Sequence, residues 1–219
     1  MTEIVTSKPK VKWKKAGNFL AKQALIMFAQ LIPVAVGVYL GIVASDWNAE
    51  QKQRAAQKEF LNNLHLELLS NKMKVEKAVA YHAAAVANAE NLQKSLNQET
   101  LNKGFWAAGG WGLLQNWQGV QVPTLESSVY QTGIIGNTLS GLDFKTINTI
   151  AQVYNYQADY KPLSEKLFTD KIVNLEGDES ASYVLGNFGW LKSFVEIEKE
   201  LLYQYDISLK HLKGKAATL

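Results

Sequence analysis

The chain has 219 residues, enough for one medium domain or one domain with an appendage. Apolar residues make up 47% and charged residues 20%, which excludes a disordered or fibrous chain. Lys+Arg number 23 against 20 Asp+Glu, but residues 1–23 alone hold six Lys (8, 10, 12, 14, 15 and 22) and one Glu. The basic surplus is therefore a short N-terminal arm, and the rest of the chain is slightly acidic, which argues against a nucleic-acid-binding domain. Cysteine is absent, so disulfides, thiolate catalysis and Cys-ligated metals are all excluded.

Residues 1–22 read as a basic cytoplasmic arm. From Gln23 to Ser45 no residue is charged, and Ala24–Ala44 is apolar except for Gln30. As a helix those residues span roughly 31 Å, matching a hydrocarbon core of about 30 Å. Residues 23–46 are thus expected to be a transmembrane helix, longer in its apolar run than a cleaved signal peptide. Tyr39 and Trp47 lie toward the far boundary, where amphipathic rings prefer the headgroup level. Lysines before the span, and Asp46 and Glu50 after it, place the N-terminus in the cytoplasm by positive-inside bias. The expected location is the bacterial inner membrane, single-pass, with residues 47–219 forming a periplasmic domain. Within the span Ala29, Pro33, Gly37, Gly41 and Ser45 recur every fourth residue. Such a stripe lets helices approach closely in lipid, so it is expected to pack against another helix.

After the span, Leu61, Leu64, Leu68, Asn71, Val75, Ala78, His82, Ala85, Ala89, Leu92 and Leu96 follow steps of three and four. That spacing predicts one long helix with a continuous apolar face. The C-terminal region repeats the pattern through Val184, Phe188, Leu191, Val195, Glu198, Leu202, Tyr205, Leu209 and Leu212. Ser180 or Ser182 is expected to open that helix and Gly214 to close it. Shorter helices are predicted from near Pro123-Thr124, from Asp143 as N-cap, and over about 162–175 with a stop at Gly177-Asp178. No stretch alternates like a strand between hairpin turns. The predicted fold is all-α: one transmembrane helix continuing into an antiparallel bundle of about four helices.

Residues 103–142 depart from that pattern, with eight of the 15 glycines and three of the six tryptophans, Trp106, Trp111 and Trp117. These aromatics either fold back to plug the end of the bundle or form a surface for a partner or ligand. Chemistry is harder to find. His65, His82 and His211 come with no compact ligand set, so no metal or other cofactor is expected. Gly109-Gly110-Trp111-Gly112 lacks the Lys-Ser/Thr of a phosphate loop and the strand that precedes a dinucleotide fingerprint. Ser127-Ser128 has no neighbouring base, and Glu196 and Glu200 read as a solvated helix face. The chain is therefore not expected to be an enzyme.

Two stretches carry a resemblance. One is Gly37-Val-Tyr-Leu-Gly-Ile-Val-Ala-Ser-Asp-Trp-Asn-Ala-Glu50, a span running into a Trp-Asn-x-Glu boundary. The other is Leu125-Glu-Ser-Ser-Val-Tyr-Gln-Thr-Gly133, followed by Leu142-Asp143 and a helix through Tyr154 and Tyr156. Over about residues 30–160 the chain resembles an uncharacterised family of bacterial single-span membrane proteins. The resemblance implies an anchored helical domain and carries no catalytic residue. The lipid bilayer and other proteins, met through the span and the Trp/Gly segment, are the expected partners. An accessory or scaffolding subunit of an inner-membrane complex is the leading functional expectation. The alternative is a periplasmic sensor or small-ligand module using residues 104–119.

Overall fold

The computed structural model describes residues 13–168 and 179–217. The predicted stop at Gly177-Asp178 and most of the lysine arm lie outside these. The chain divides into two compact units, Met1–Lys52 and Gln53–Leu219.

The described residues are helical, with one isolated antiparallel bridge between Gly104 and Ser180. The helices are α1 (Trp13–Ser95), α2 (Gln98–Asn102), α3 (Ser128–Ile135), α4 (Phe144–Phe168), α5 (Ala181–Gly186) and α6 (Gly189–Ala216). In the first unit α1 holds a window of mean hydropathy 2.2, none of it buried, long and apolar enough to cross a membrane. Pro33 sits inside this helix without ending it. Only one backbone hydrogen bond is lost there, which a long apolar helix tolerates.

In the second unit the long apolar faces meet as their spacing requires. Leu61, Leu64, Leu68, Val75 and Ala89 on α1 and Leu191, Leu201, Tyr205 and Leu212 on α6 are all buried. Pairings fix the directions. Lys72 meets Asp206, His82 meets Glu198 and Glu90 meets Lys192, so α6 runs antiparallel to this part of α1. Gln157 with Tyr205 and Thr146 with His211 make α6 antiparallel to α4 as well. Glu67 with Tyr154 and Asn71 with Gln157 leave α1 and α4 parallel. The connection from α1 to α4 must therefore return the whole length of the bundle, and the Trp/Gly segment and α3 lie on that route.

Several boundaries differ from those predicted. The helix expected from Pro123-Thr124 starts only at Ser128, because residues 121–127 form an extended strap. Pro162 lies inside α4 instead of opening a new helix. The last helix is two, since Ser180 caps α5 through a bond from the Tyr183 N–H, and α6 follows after Asn187-Phe188. Gly214 does not end α6, which continues to Ala216. Asp143 does cap α4: its Oδ1 accepts the Thr146 N–H at 3.0 Å, and its Oδ2 meets Lys215 Nζ at 2.8 Å. The hydrogen bond from Lys215, then that from Thr146, holds the Asp143 carboxyl well below the usual carboxylate range.

Candidate functional site

Polar residues on apolar stripes build the centre of the second unit. Asn71 and His82 interrupt the stripe of α1 and Glu198 that of α6, and all three are fully buried. His82 Nδ1 faces both carboxylate oxygens of Glu198, at 3.0 and 3.1 Å. Tyr160 of α4 donates its hydroxyl to the same carboxylate at 2.8 Å. The His82 ring lies between those of Tyr81 and Phe194. A carboxylate in such a setting persists only if it is paired and hydrogen-bonded, and Glu198 has partners from both neighbouring helices.

A second cluster forms around Glu67 of α1, where it faces Tyr154 of α4. Glu67, 5% exposed, accepts hydrogen bonds from the Tyr154 hydroxyl, the Ser128 hydroxyl (3.0 Å) and the Val129 N–H (2.8 Å). Its carboxylate thus caps α3, where Ser127 makes no side-chain cap of its own. Asn71 and Gln157 then pin the strap at Glu126. Asn71 Oδ1 accepts the Glu126 N–H at 2.8 Å, while both amide side chains donate to the Glu126 carbonyl at 2.7 Å. Gln157 Oε1 also accepts from Asn71 and from the Tyr205 hydroxyl.

Burial pushes the phenols of Tyr154, Tyr160 and Tyr205 well above the ordinary range, helped by Glu67 at Tyr154 and Tyr205 and by Glu198 at Tyr160. Each fold-state pKa exceeds the unfolded value near 10, so the stabilisation is complete below pH 10 and is lost as pH rises beyond it. Each unit above 10 removes up to about 1.4 kcal/mol per tyrosine. The expected outcome is cooperative alkaline unfolding, with at least three of the nine tyrosines ionising only in that transition when followed by absorbance at 295 nm. Nine tyrosines titrating together near pH 10 in a folded chain would contradict it.

The Trp/Gly segment is half wrapped into the bundle. Phe105 is buried, Trp111 and Trp117 are partly buried, and Trp106 is 53% exposed. Trp117 stacks between Trp111 and Tyr81, and its edge meets Phe188 at 5.4 Å. The Tyr81 hydroxyl accepts the Gln118 N–H and donates to the Gly119 carbonyl, both at 2.8 Å. Gly110 has a left-handed φ of +57°, and a Cβ there would lie 2.6 Å from the Trp106 ring, so the turn needs glycine. Two tryptophans thus serve the packing of α1 against α5 and α6, and Trp106 is left at the surface.

The other residues singled out from sequence lie apart. Ala29, Pro33, Gly37, Gly41 and Ser45 are exposed in the first unit, and nothing lies within 4 Å of a Cβ built on Gly37 or Gly41. His211 Nε2 meets Thr146 Oγ1 at 2.9 Å, away from the His82–Glu198 pair. Among the described residues no three His, Asp or Glu side chains converge as a metal site would need. Glu196 pairs with Lys199 on the surface, and Glu200 accepts from Gln204. Sequence reasoning missed Glu67, which sits one residue off the apolar stripe, and Gln157 and Tyr160, which lie in the α4 half with no marked signal. Asn71, His82 and Glu198 were findable as polar breaks in apolar faces. Comparison with protein families, curated proteins and solved structures returns no match for this chain.

Proposed function

We propose that this protein is a single-span, membrane-anchored helical module acting as a non-enzymatic accessory or scaffolding subunit of a larger inner-membrane assembly. The observation that carries the reading is the helical surface of 25–43, where every residue is exposed and nearly every one is apolar. Such a surface is at home in lipid, and its small-residue stripe offers a flat face to a second helix. Support also comes from the second unit. The buried carboxylates of Glu67 and Glu198 are tied to tyrosines, backbone and His82, where they hold helices in register. Charge asymmetry about the span favours a cytoplasmic N-terminus and a periplasmic second unit. The resemblance to uncharacterised single-span bacterial proteins agrees with this topology.

The stripe gives the test. Replacing Gly37 and Gly41 together with Leu adds bulk on the face that a partner helix would touch, without adding charge. Association with partner subunits, measured by co-purification in mild detergent, is expected to weaken, because bulk on this face keeps the two backbones apart. Membrane retention is expected to stay complete. Unchanged association would remove the stripe from the proposal.

A further inference from the structure

Between the 120–131 segment and α4 the second unit leaves a cleft of about 740 Å³. That volume lies within the range of small-molecule sites, roughly 300–1,000 Å³. The cleft persists for a structural reason. Asn71 and Gln157 pin the strap at Glu126, and Lys74 holds it from outside through Thr124 and Glu126. Bonds to Asn71 and Lys74 of α1, with the bond to Gln157 of α4, fix the position of the strap at Thr124 and Glu126. Its apolar wall is Val120, Val122, Pro123 and Leu125, facing Ala158 and Pro162 on α4.

The chemistry of the lining selects the occupant. Tyr154, Gln157 and Tyr160 line the cleft, yet their polar atoms are already engaged. Tyr154 donates to Glu67, Tyr160 donates to Glu198, and the Gln157 amide serves Glu126, Asn71 and Tyr205. Gln131 is taken by Ser127 and Ser164 by the Lys161 carbonyl, which leaves the neutral side chains of Thr124, Tyr130 and Asn155 as polar groups of the lining without a hydrogen bond among the described residues. Lys161 and Glu165, the two charged residues in the lining, form an i,i+4 pair of opposite sign at 3.9 Å. Among the described residues the lining offers no net charge to a ligand. One main-chain acceptor is spare, because Pro162 has no N–H to give the Ala158 carbonyl one turn earlier. We propose that this cleft binds an uncharged, hydrocarbon-rich small molecule bearing a hydroxyl, of the long-chain alcohol type. The site is distinct from the Trp/Gly segment and does not depend on the accessory-subunit reading.

The test uses the full chain in membranes and a long-chain alcohol bearing a photoactivatable diazirine, with cross-links located by peptide mass spectrometry. Expected are cross-links in 120–131 and 154–165, in addition to those that the 25–43 helix receives from any membrane-dissolved probe. Ala158→Trp and Asn155→Trp each place an indole in the cleft from an exposed position on α4. Whichever of the two retains the wild-type circular dichroism is expected to reduce cleft labelling at least tenfold and leave labelling of 25–43 unchanged. The corresponding long-chain carboxylate is expected to label the cleft at least tenfold less than the alcohol. Labelling confined to 25–43, cleft labelling indifferent to both Trp variants, or equal labelling by the carboxylate would each overturn the proposal.

Discussion

Glu198→Ala is expected to destabilise the second unit by about 3–5 kcal/mol, the usual cost of removing one partner from a buried pair. The substitution leaves His82 facing a void at 0% exposure and frees the Tyr160 hydroxyl in an apolar core. For a chain of this size the melting temperature is expected to fall by roughly 10 °C, at about 2–4 °C per kcal/mol. Glu198→Gln keeps the volume and one acceptor oxygen, so its cost is expected to be smaller, about 1–2 kcal/mol. His82→Leu and Tyr160→Phe combined with Glu198→Leu remove all three polar groups together and are expected to recover much of the loss, since joint apolar replacements are often neutral. Denaturation of the full chain in detergent, read by circular dichroism, compares the three. A Glu198→Ala loss under about 1 kcal/mol would mean that the pair does not hold α1 to α6.

Glu67→Ala carries the second large effect and has a different signature. It removes the acceptor for three donors at once, the Tyr154 and Ser128 hydroxyls and the Val129 N–H. The Tyr154 hydroxyl is buried, and an orphaned buried donor costs about 1–3 kcal/mol; with roughly 1 kcal/mol for the lost cap a total near 3 kcal/mol is expected. The loss is expected to be local first. The amides at the start of α3 lose their cap, and hydrogen exchange there is expected to speed up before that of α6. Glu67→Gln retains one acceptor and is expected to cost about half as much. Equal exchange at α3 in wild type and Glu67→Ala would rule out the capping role.

Most of the long-range order was legible because a helix writes its buried face into the sequence at steps of three and four. All of Leu61, Leu64, Leu68, Val75 and Ala89 fall inside, as do Leu191, Tyr205 and Leu212. Asp143 was readable as a cap because a short acceptor before an apolar-periodic run has a local signature. The failures came where the deciding contact is not local. Pro123 and Thr124 look like a helix start, but the strap they belong to is held extended by Asn71, about fifty residues earlier. Pro162 looks like a boundary, yet packing of α4 against α6 outweighs one missing hydrogen bond. The polar clusters were half visible. A polar residue on an apolar stripe announces burial without naming its partner; Tyr154 falls in step with Ile147 and Ile150, whereas Tyr160 is indistinguishable in sequence from a surface tyrosine. The cleft could not be read at all, since it exists between a pinned strap and a helix that the chain brings together only in the fold.

The exposed apolar helix is proposed to anchor the protein in a membrane as one subunit among others. The most direct measurement is purification of the full chain from native membranes in mild detergent, with the mass of the intact particle determined. The expected result is a particle well above the 24.4 kDa of one chain, containing other membrane subunits in fixed stoichiometry. A lone monomer, a homo-oligomer, or recovery of the chain in the soluble fraction would contradict it.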